Sequence, residues 1–234
     1  MVFGKRKSRE QAPLVEAVGW EDVRRITIGR TERSVPFAKP QLGRLAVRVP
    51  RRTKDVSTYA PCAYFRTDHP SHPLVEPVLY EDEAAQRVLC AVDDPVDVGD
   101  EIHRIVRDGE GQAVGTLRRI PPAKKLVHHT WRVDQPGRPE IAGRSPWSLR
   151  HNTARGLAMR GLVSTLDLVL ELAADGDTPA NQGRALEWHC EDDLVMTSKG
   201  LPQHDSSLDI SIKVGWLDRR LAFAVAMVPD FPDA

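Results

Sequence analysis

The clearest hydrophobic pattern in the chain is an alternation towards its end. Apolar residues recur at every second position over most of the stretch from Leu208 to Trp216, and Asp209, Ser211 and Lys213 fall between them. Successive side chains of a β-strand point to opposite faces, so this period predicts a strand with one buried face.

The segment that follows has no polar face. Leu221 to Val228 is an unbroken run of eight apolar residues, and its alanines and leucine favour a helix. A helix that is apolar all round has to be enclosed on every side, and eight residues are too few to span a bilayer, which takes about 20. The pattern therefore predicts a central helix over 217–228 that the rest of the protein surrounds.

The middle of the chain, from Val78 to Ile141, has the pattern of a β-meander. Short apolar or alternating runs recur about every ten residues, and turn signals rich in glycine, aspartate and proline separate them. The strands predicted in this stretch are 87–92, 101–106, 113–120 and 126–133, and a further strand pair is predicted at 185–190 and 192–197. Strands at this spacing are typical of a barrel or a sandwich.

The first third of the chain shows less regular structure. Residues 26–29 and 45–49 have the composition of strands, whereas prolines and basic residues between 36 and 54 indicate loops. Four prolines lie between Tyr59 and Pro77. Because proline removes a backbone donor, they predict irregular chain over most of that stretch.

One long amphipathic helix is predicted over 149–174. Leucine, valine and alanine side chains share a broad face there, and Ser145-Pro146 supplies a capping oxygen and a proline for the first turn. This helix interrupts the predicted strands, so we expect it to pack outside a barrel. The predicted organisation is a basic flexible arm over 1–18 and a single domain over 19–234.

The formal net charge of zero hides an asymmetry. Residues 1–60 carry 14 Lys/Arg against 6 Asp/Glu, a net charge of +8 that the rest of the chain balances. A basic front end suits an anionic lipid surface or a nucleic acid. The simpler alternative, which we favour, is a solvated arm with neutralising contacts inside the fold. Nucleic acid is not the partner we expect.

The cysteines and the apolar stretches of the chain indicate its cellular compartment. The three cysteines are far apart and odd in number, which favours a reducing compartment over a disulfide framework. No apolar stretch follows the basic start as a signal peptide would require, so we predict a cytoplasmic protein. Arginine outnumbers lysine 25 to 8, a bias typical of a G+C-rich bacterial genome.

Recognisable catalytic chemistry is sparse. Gly109, Gly111 and Gly115 approach a dinucleotide fingerprint, but they lie between two predicted strands and not before a helix, so they indicate a hairpin. The histidines and cysteines lack metal-ligand spacing, and Cys90 sits in an apolar run typical of a core. We predict no metal, no cofactor and no catalytic residue, and we lean towards a protein that is not an enzyme.

The densest basic group outside the first 60 residues is Arg118, Arg119, Lys124 and Lys125. These four residues flank a Pro121-Pro122 break at the end of a predicted strand. Four cations at one rim can hold a phosphorylated headgroup or another anion, so we take them as the candidate anion- or lipid-binding site. An ordinary solvated rim is the simpler interpretation, and it is the one we favour.

The last 150 residues resemble the tubby-like barrel superfamily, in particular its LURP-one-related and phospholipid-scramblase-like branch. The resemblance rests on the hairpin over 105–117, on Thr130-Trp131-Arg132-Val133-Asp134 before a Pro-Gly turn, and on the ending over 217–228. It implies a closed antiparallel barrel of about a dozen strands around a C-terminal apolar helix. The helix over 149–174 and the length of residues 1–75 depart from the superfamily pattern.

These observations predict a mainly β (α+β) fold: a closed antiparallel barrel around the C-terminal helix, with the amphipathic helix packed outside. A β-sandwich whose last strand is the apolar segment is the competing architecture. For function we expect a non-enzymatic cytoplasmic binding module, peripheral to the membrane, that is recruited to anionic lipid or to a protein partner. The alternative is an enzyme or small-ligand carrier that uses the barrel mouth, and the oligomeric state is left open.

Overall fold

The computed structural model describes residues 15–53, 55–66, 77–120, 130–144, 185–200 and 208–228. Those residues form thirteen β-strands and one α-helix. In chain order they are β1 (Arg25–Ser34), β2 (Gln41–Arg52), β3 (Ser57–Phe65), β4 (Val78–Tyr80), β5 (Val88–Val92), β6 (Val96–Val98), β7 (Glu101–Asp108), β8 (Ala113–Ile120), β9 (Thr130–Asp134), β10 (Ile141–Arg144), β11 (Leu186–Cys190), β12 (Asp193–Gly200), β13 (Leu208–Ile212) and α1 (Arg219–Met227).

The strands close into a twelve-strand antiparallel barrel. The ladder runs from β5 back through β4, β3 and β2 to β1, and then from β13 down to β7. It closes because Val92 of β5 pairs with Val106 of β7. The short β6 pairs with the same edge of β7 through Val96 and His103, so β5 and β6 together occupy one barrel position. Closure gives both end strands of the ladder a partner.

The barrel confirms the mainly β fold predicted from the sequence. The alternation that begins at Leu208 forms β13, in which Leu208, Ile210 and Ile212 are buried. The predicted strands at 101–106 and 113–120 are β7 and β8, and those at 185–190 and 192–197 are β11 and β12. The competing sandwich is wrong, because the sheet closes on itself and the segment after β13 is helical.

Two segments in which prolines predicted loop or irregular chain contain strand residues: 59–65 of the stretch 59–77, whose residues 67–76 lie outside the described part, and 50–52 of the predicted loop. Strand β3 runs through Pro61, where the pairing with β2 shifts by one residue, and a proline is tolerated at such a bulge. Its carbonyl accepts a hydrogen bond from Val18 N at 2.9 Å. Strand β2 continues through Pro50 in the region predicted as loop. Its pairing with β1 stops at Arg48, so the missing N–H of Pro50 removes no ladder bond on that side.

The apolar segment forms a buried helix, as the sequence predicts. Helix α1 begins after Asp218, whose carboxylate accepts the Arg220 N–H at 2.9 Å as an N-cap. All residues from Leu221 to Val228 are buried, and the helix packs against β5, β7, β8 and β13. The contact with β8 needs glycine at 115, because an added Cβ would lie 2.7 Å from Leu221 Cδ2.

Strands β1, β2 and β3 form a second, smaller closure, which we call the three-strand ring. Arg33 of β1 pairs with Gln41 of β2 and also with Thr58 of β3, which in turn pairs with Arg51 of β2. Strand β2 must therefore curl so that both of its ends approach β1. Ser57 of β3 pairs with Ser34 at the end of β1 and with Arg52 at the end of β2. The β1–β2 turn and the β2–β3 turn therefore lie at the same end of the ring, about 10 Å apart, which is two strand spacings.

Two predicted segments lie wholly or partly outside the residues that the structure describes. The helix predicted over 149–174 lies outside the described residues. Of the arm predicted over 1–18, the structure describes 15–18. Within it, Val18 packs against the core beside Trp20 and donates its N–H to Pro61, so contacts with the barrel begin inside the last residues of the predicted arm.

Candidate functional site

The described interior of the barrel is apolar. The buried polar or charged residues among those described are Thr27, Arg48, Ser198 and Arg219. Ser198 Oγ accepts the indole N–H of buried Trp188 at 3.0 Å, and Arg219 donates to the backbone carbonyl of Leu217. No buried carboxylate or histidine stands among them, so the described interior does not gather the titratable groups that an enzyme pocket needs.

The three cysteines are buried thiols. Burial raises the pKa of Cys62 and of Cys90 to about 12 in each case, and it also raises the pKa of Cys190. The raised pKa keeps these thiols protonated at neutral pH. The thiolate is the reactive form of cysteine, so these side chains are not in their reactive form. The prediction that Cys90 is a core residue is confirmed by its complete burial.

The glycines that approach a nucleotide fingerprint belong to a hairpin, as predicted. Gly109 and Gly111 lie at the β7–β8 connection, where the Asp108 carboxylate accepts the N–H groups of Glu110 at 3.1 Å and Gln112 at 2.8 Å. Gly115 lies in β8 and pairs with Val106 of β7. Gly111 has a φ of 81°, which glycine adopts readily. Within the described ranges, no group of three His, Cys, Asp or Glu side chains is positioned to hold a metal ion.

Arg118, the first residue of the predicted anion site, is surrounded by carboxylates. Its Nε donates to Asp134 Oδ2 at 2.6 Å and its Nη1 to Glu101 Oε2 at 3.0 Å, while its Nη2 contacts Glu140. These bonds, that to Asp134 above all, raise the pKa of Arg118. Its guanidinium is therefore saturated by acidic groups of the protein itself.

The contacts of Arg118 extend into a larger network, which we call the ion-pair cluster: Glu101, His103, Arg118, Arg132, Asp134 and Glu140. Arg132 Nε lies 2.8 Å from Glu140 Oε1, and His103 Nε2 lies 2.9 Å from Glu101 Oε2. The bond to His103, followed by that to Arg118, lowers the pKa of Glu101. Two arginines and one histidine face three carboxylates, so the cluster has no surplus of positive charge.

Of the four predicted anion-site residues, the structure describes Arg118 and Arg119, and these two do not share a face of the sheet. Arg119 pairs with Trp131 in the ladder and lies on the face of β8 opposite to Arg118, because strand side chains alternate. Lys124 and Lys125 lie outside the described residues. Anion binding by these four residues stays a prediction, and sequence reasoning did not connect Arg118 with carboxylates 16 to 22 positions away.

The three-strand ring has its own buried cation. Arg48 is 1% exposed and donates to the carbonyls of Gly29 at 2.9 Å, Tyr59 at 3.0 Å and Arg44 at 2.6 Å. Its Nη2 also lies 3.4 Å from Glu32 Oε1. Desolvation lowers the pKa of Arg48 and the Glu32 carboxylate opposes this shift. Arg48 thus joins the three strands of the ring by hydrogen bonds and forms an ion pair with Glu32.

Exposed apolar and cationic side chains lie at the end of the ring, in the β1–β2 turn and at the strand ends next to the two turns. We call this set the tip surface: Val35, Phe37, Lys39, Leu42, Arg51 and Arg52. Phe37 is fully exposed, and Leu42 and Val35 are 53% and 39% exposed. Lys39, Arg51 and Arg52 are exposed as well, and no carboxylate in the described part of the chain forms an ion pair with them. Asp55, in the β2–β3 turn, is the acidic residue of the two turns that join β1 to β2 and β2 to β3.

Sequence reasoning missed the tip surface, although a signal was present. Phe37 stands between Pro36 and Pro40, and an aromatic side chain held between two prolines has no periodic neighbours with which to share a core face. Its exposure follows from that isolation.

No protein-family model matches this chain, and neither the curated proteins nor the solved structures contain a match to it. Among the described residues, the model has no helix of the length and apolarity needed to cross a membrane. The functional argument therefore rests on the charges and exposed side chains of the described surface.

Proposed function

We propose that this chain is a non-enzymatic binding module that is recruited to an anionic lipid surface through the tip surface. The observation that carries the proposal is the set of exposed cations Lys39, Arg51 and Arg52, which have no carboxylate partner among the described residues. Each basic residue near an anionic membrane contributes about 1 kcal/mol of binding free energy, so three such residues contribute about 3 kcal/mol together.

Binding is a better proposal than catalysis because of the interior. The buried side chains are apolar apart from two arginines, a serine and a threonine, and both arginines donate to backbone carbonyls. The cysteines are protonated thiols. A small-ligand carrier or enzyme that uses the barrel mouth would need converging titratable groups, and the described interior holds no buried carboxylate or histidine.

The proposal extends to the family and the compartment. A closed twelve-strand barrel with a buried C-terminal helix accords with the tubby-like superfamily. We propose that the barrel surrounds α1 and that the helix over 149–174 packs outside it. Reduced, buried cysteines accord with a cytoplasmic location. In this proposal the protein is peripheral to the membrane and approaches it with the basic end of the three-strand ring.

The test is co-sedimentation with phosphatidylcholine vesicles, with and without phosphatidylserine, across a sodium chloride series. We expect pelleting that requires phosphatidylserine and weakens as salt screens the charges. The triple variant Lys39→Ser/Arg51→Ser/Arg52→Ser should reduce the partition coefficient on the order of a hundredfold, which corresponds to about 3 kcal/mol. Its melting temperature should not change, since these side chains are exposed and have no carboxylate partner among the described residues.

The matched control removes the same formal charge from cations that have partners: Arg25→Ser/Arg87→Ser/Arg107→Ser. Arg25 Nη2 lies 2.7 Å from Asp209, and Arg107 Nε lies 2.9 Å from Asp93. This variant should pellet within a fewfold of the wild type. Equal losses in both triple variants would show a general charge effect, and pelleting without phosphatidylserine would contradict the proposal.

A further inference from the structure

The apex of the tip surface is an aromatic residue in an unfavourable setting. Phe37 is fully exposed, more so than any other large apolar residue in the described ranges. Its backbone is also disfavoured: Val35 O accepts the Ala38 N–H at 3.2 Å, and Phe37 has a φ of 62°. Proline followed by positive φ is the pattern of a type II turn, in which glycine usually takes the place of Phe37.

Neither folding nor solubility accounts for phenylalanine at this position. Glycine at 37 would relieve the left-handed backbone and remove exposed apolar surface at once. Strained backbone that the surrounding structure maintains is found at functional sites. The side chain itself is therefore the feature to be explained.

The neighbours of Phe37 indicate the environment that it suits. Val35 and Leu42 widen the apolar apex, and Lys39 lies two residues along the turn. Arg51 and Arg52 end β2 at the second turn, about 10 Å from the first across two strand spacings. Because strand side chains alternate, they border that end from opposite faces of β2. An apolar apex bordered by cations fits the lipid interface, where apolar side chains enter the acyl boundary and basic groups stay with the phosphates.

The size of the apex favours lipid over a protein partner. A stable protein interface buries about 800 Å² on each side, whereas this apex has three apolar side chains. A bilayer gains from a single inserted aromatic because the ring enters an environment that is already apolar.

We propose that Phe37 inserts into the outer acyl region of an anionic bilayer, with Val35 and Leu42 at its base and Lys39, Arg51 and Arg52 on the lipid phosphates. This inference rests on the proposed function and adds a specific insertion residue to it. Electrostatic attraction brings the tip surface to the membrane, and insertion of Phe37 retains it when salt screens the charges.

The test compares Phe37→Gly and Phe37→Trp with the wild type by co-sedimentation with phosphatidylserine-containing vesicles at high salt. Phe37→Gly should lower the partition coefficient on the order of tenfold or more, from the lost transfer of a phenyl ring, and it should melt no lower than the wild type. Phe37→Trp should bind at least as well as the wild type. The control Val98→Ser removes a 49% exposed apolar residue of β6 and should have no effect.

The depth of residue 37 in the bilayer is measured separately. An environment-sensitive fluorophore is attached to the Phe37→Cys variant, and its quenching by lipids that carry a quencher in the acyl chain is recorded. The native cysteines are buried, so the unsubstituted protein serves as the labelling blank and labelled Val98→Cys as the non-inserting control. Quenching at 37 and not at 98 is the expected result.

The outcomes separate the two proposals. Salt-sensitive binding without quenching at 37, and with Phe37→Gly equal to the wild type, would overturn insertion and leave the electrostatic function standing. Absence of wild-type binding to every vesicle would overturn both, and loss of binding to a co-purifying protein in Phe37→Gly would then assign the apex to a protein partner.

Discussion

The ion-pair cluster and the tip surface are both rich in arginine, yet they differ in how the charge is compensated. In the cluster, Arg118 and Arg132 face three carboxylates. At the tip surface, Lys39, Arg51 and Arg52 share two turns with a single carboxylate, Asp55. The density of basic residues along a sequence therefore does not indicate affinity for anions. The balance of charge in space does.

Strand register produces this difference. Thr116 pairs with Asp134 and Arg118 with Arg132, so neighbouring strands bring acidic residues to Arg118 from positions distant in the chain. In the three-strand ring the corresponding acid, Glu32, faces inward to Arg48. The cations at the ring's end are left to the solvent.

The largest expected effect on stability comes from the buried cation of the ring. Arg48→Met should destabilise the fold by roughly 3–5 kcal/mol, because it leaves Glu32 and three backbone carbonyls without their partner. Chemical denaturation measures the change. Arg52→Met, at the exposed end of the same strand, is the control and should stay within about 0.5 kcal/mol of the wild type. Equal stabilities of the two variants would mean that Arg48 does not hold the ring together.

A smaller effect is expected at the ion-pair cluster. Arg118→Met should cost about 1 kcal/mol, since three charge-assisted bonds are lost from a partly solvated site. Vesicle pelleting should be unchanged, because this guanidinium is already saturated. Weaker pelleting with full stability would instead restore Arg118 to the anion site predicted from the sequence.

The smallest effect is a change in acid stability. The pKa of Glu101 is lowered by its bonds to His103 and Arg118, below the value of about 4.3 for an unfolded glutamate. Its contribution is present above that unfolded value and is lost as the pH falls through the lower folded-state pKa. Melting temperatures measured from neutral pH downwards should therefore fall less steeply for Glu101→Gln than for the wild type. Parallel curves would show that Glu101 gains nothing from the cluster.

The parts of this structure that follow from local pattern could be predicted from the sequence. The alternation at Leu208–Ile212 gives a half-buried strand, and the apolar run from Leu221 gives a buried helix. The course of β3 through Pro61 could not be predicted from local pattern. It depends on a β-bulge and on a hydrogen bond from the Val18 N–H to the Pro61 carbonyl. Both features require neighbours that no local window contains.

The candidate site was harder to predict for a related reason. The group Arg118, Arg119, Lys124 and Lys125 was chosen by spacing along the chain, whereas the partners of Arg118 are fixed by register. The position of Phe37 near Arg51 and Arg52 depends on the curl of β2, which brings two turns to one end of the ring. Such non-local geometry determines which charges are satisfied and which remain available.

The pairing of β1 with β13 has a consequence for biosynthesis. Arg25 and Asp209, which bridge these strands, lie 184 positions apart. Translation proceeds at about 5–20 residues per second, so β1 waits on the order of ten seconds or more for its partner to be made. Until then one edge of β1 and the apolar inner faces of the early strands have no partner, and contacts of such long range form slowly. The nascent chain is therefore expected to need protection by chaperones up to the synthesis of its last strand, and translation that stops before β13 would release an aggregation-prone sheet.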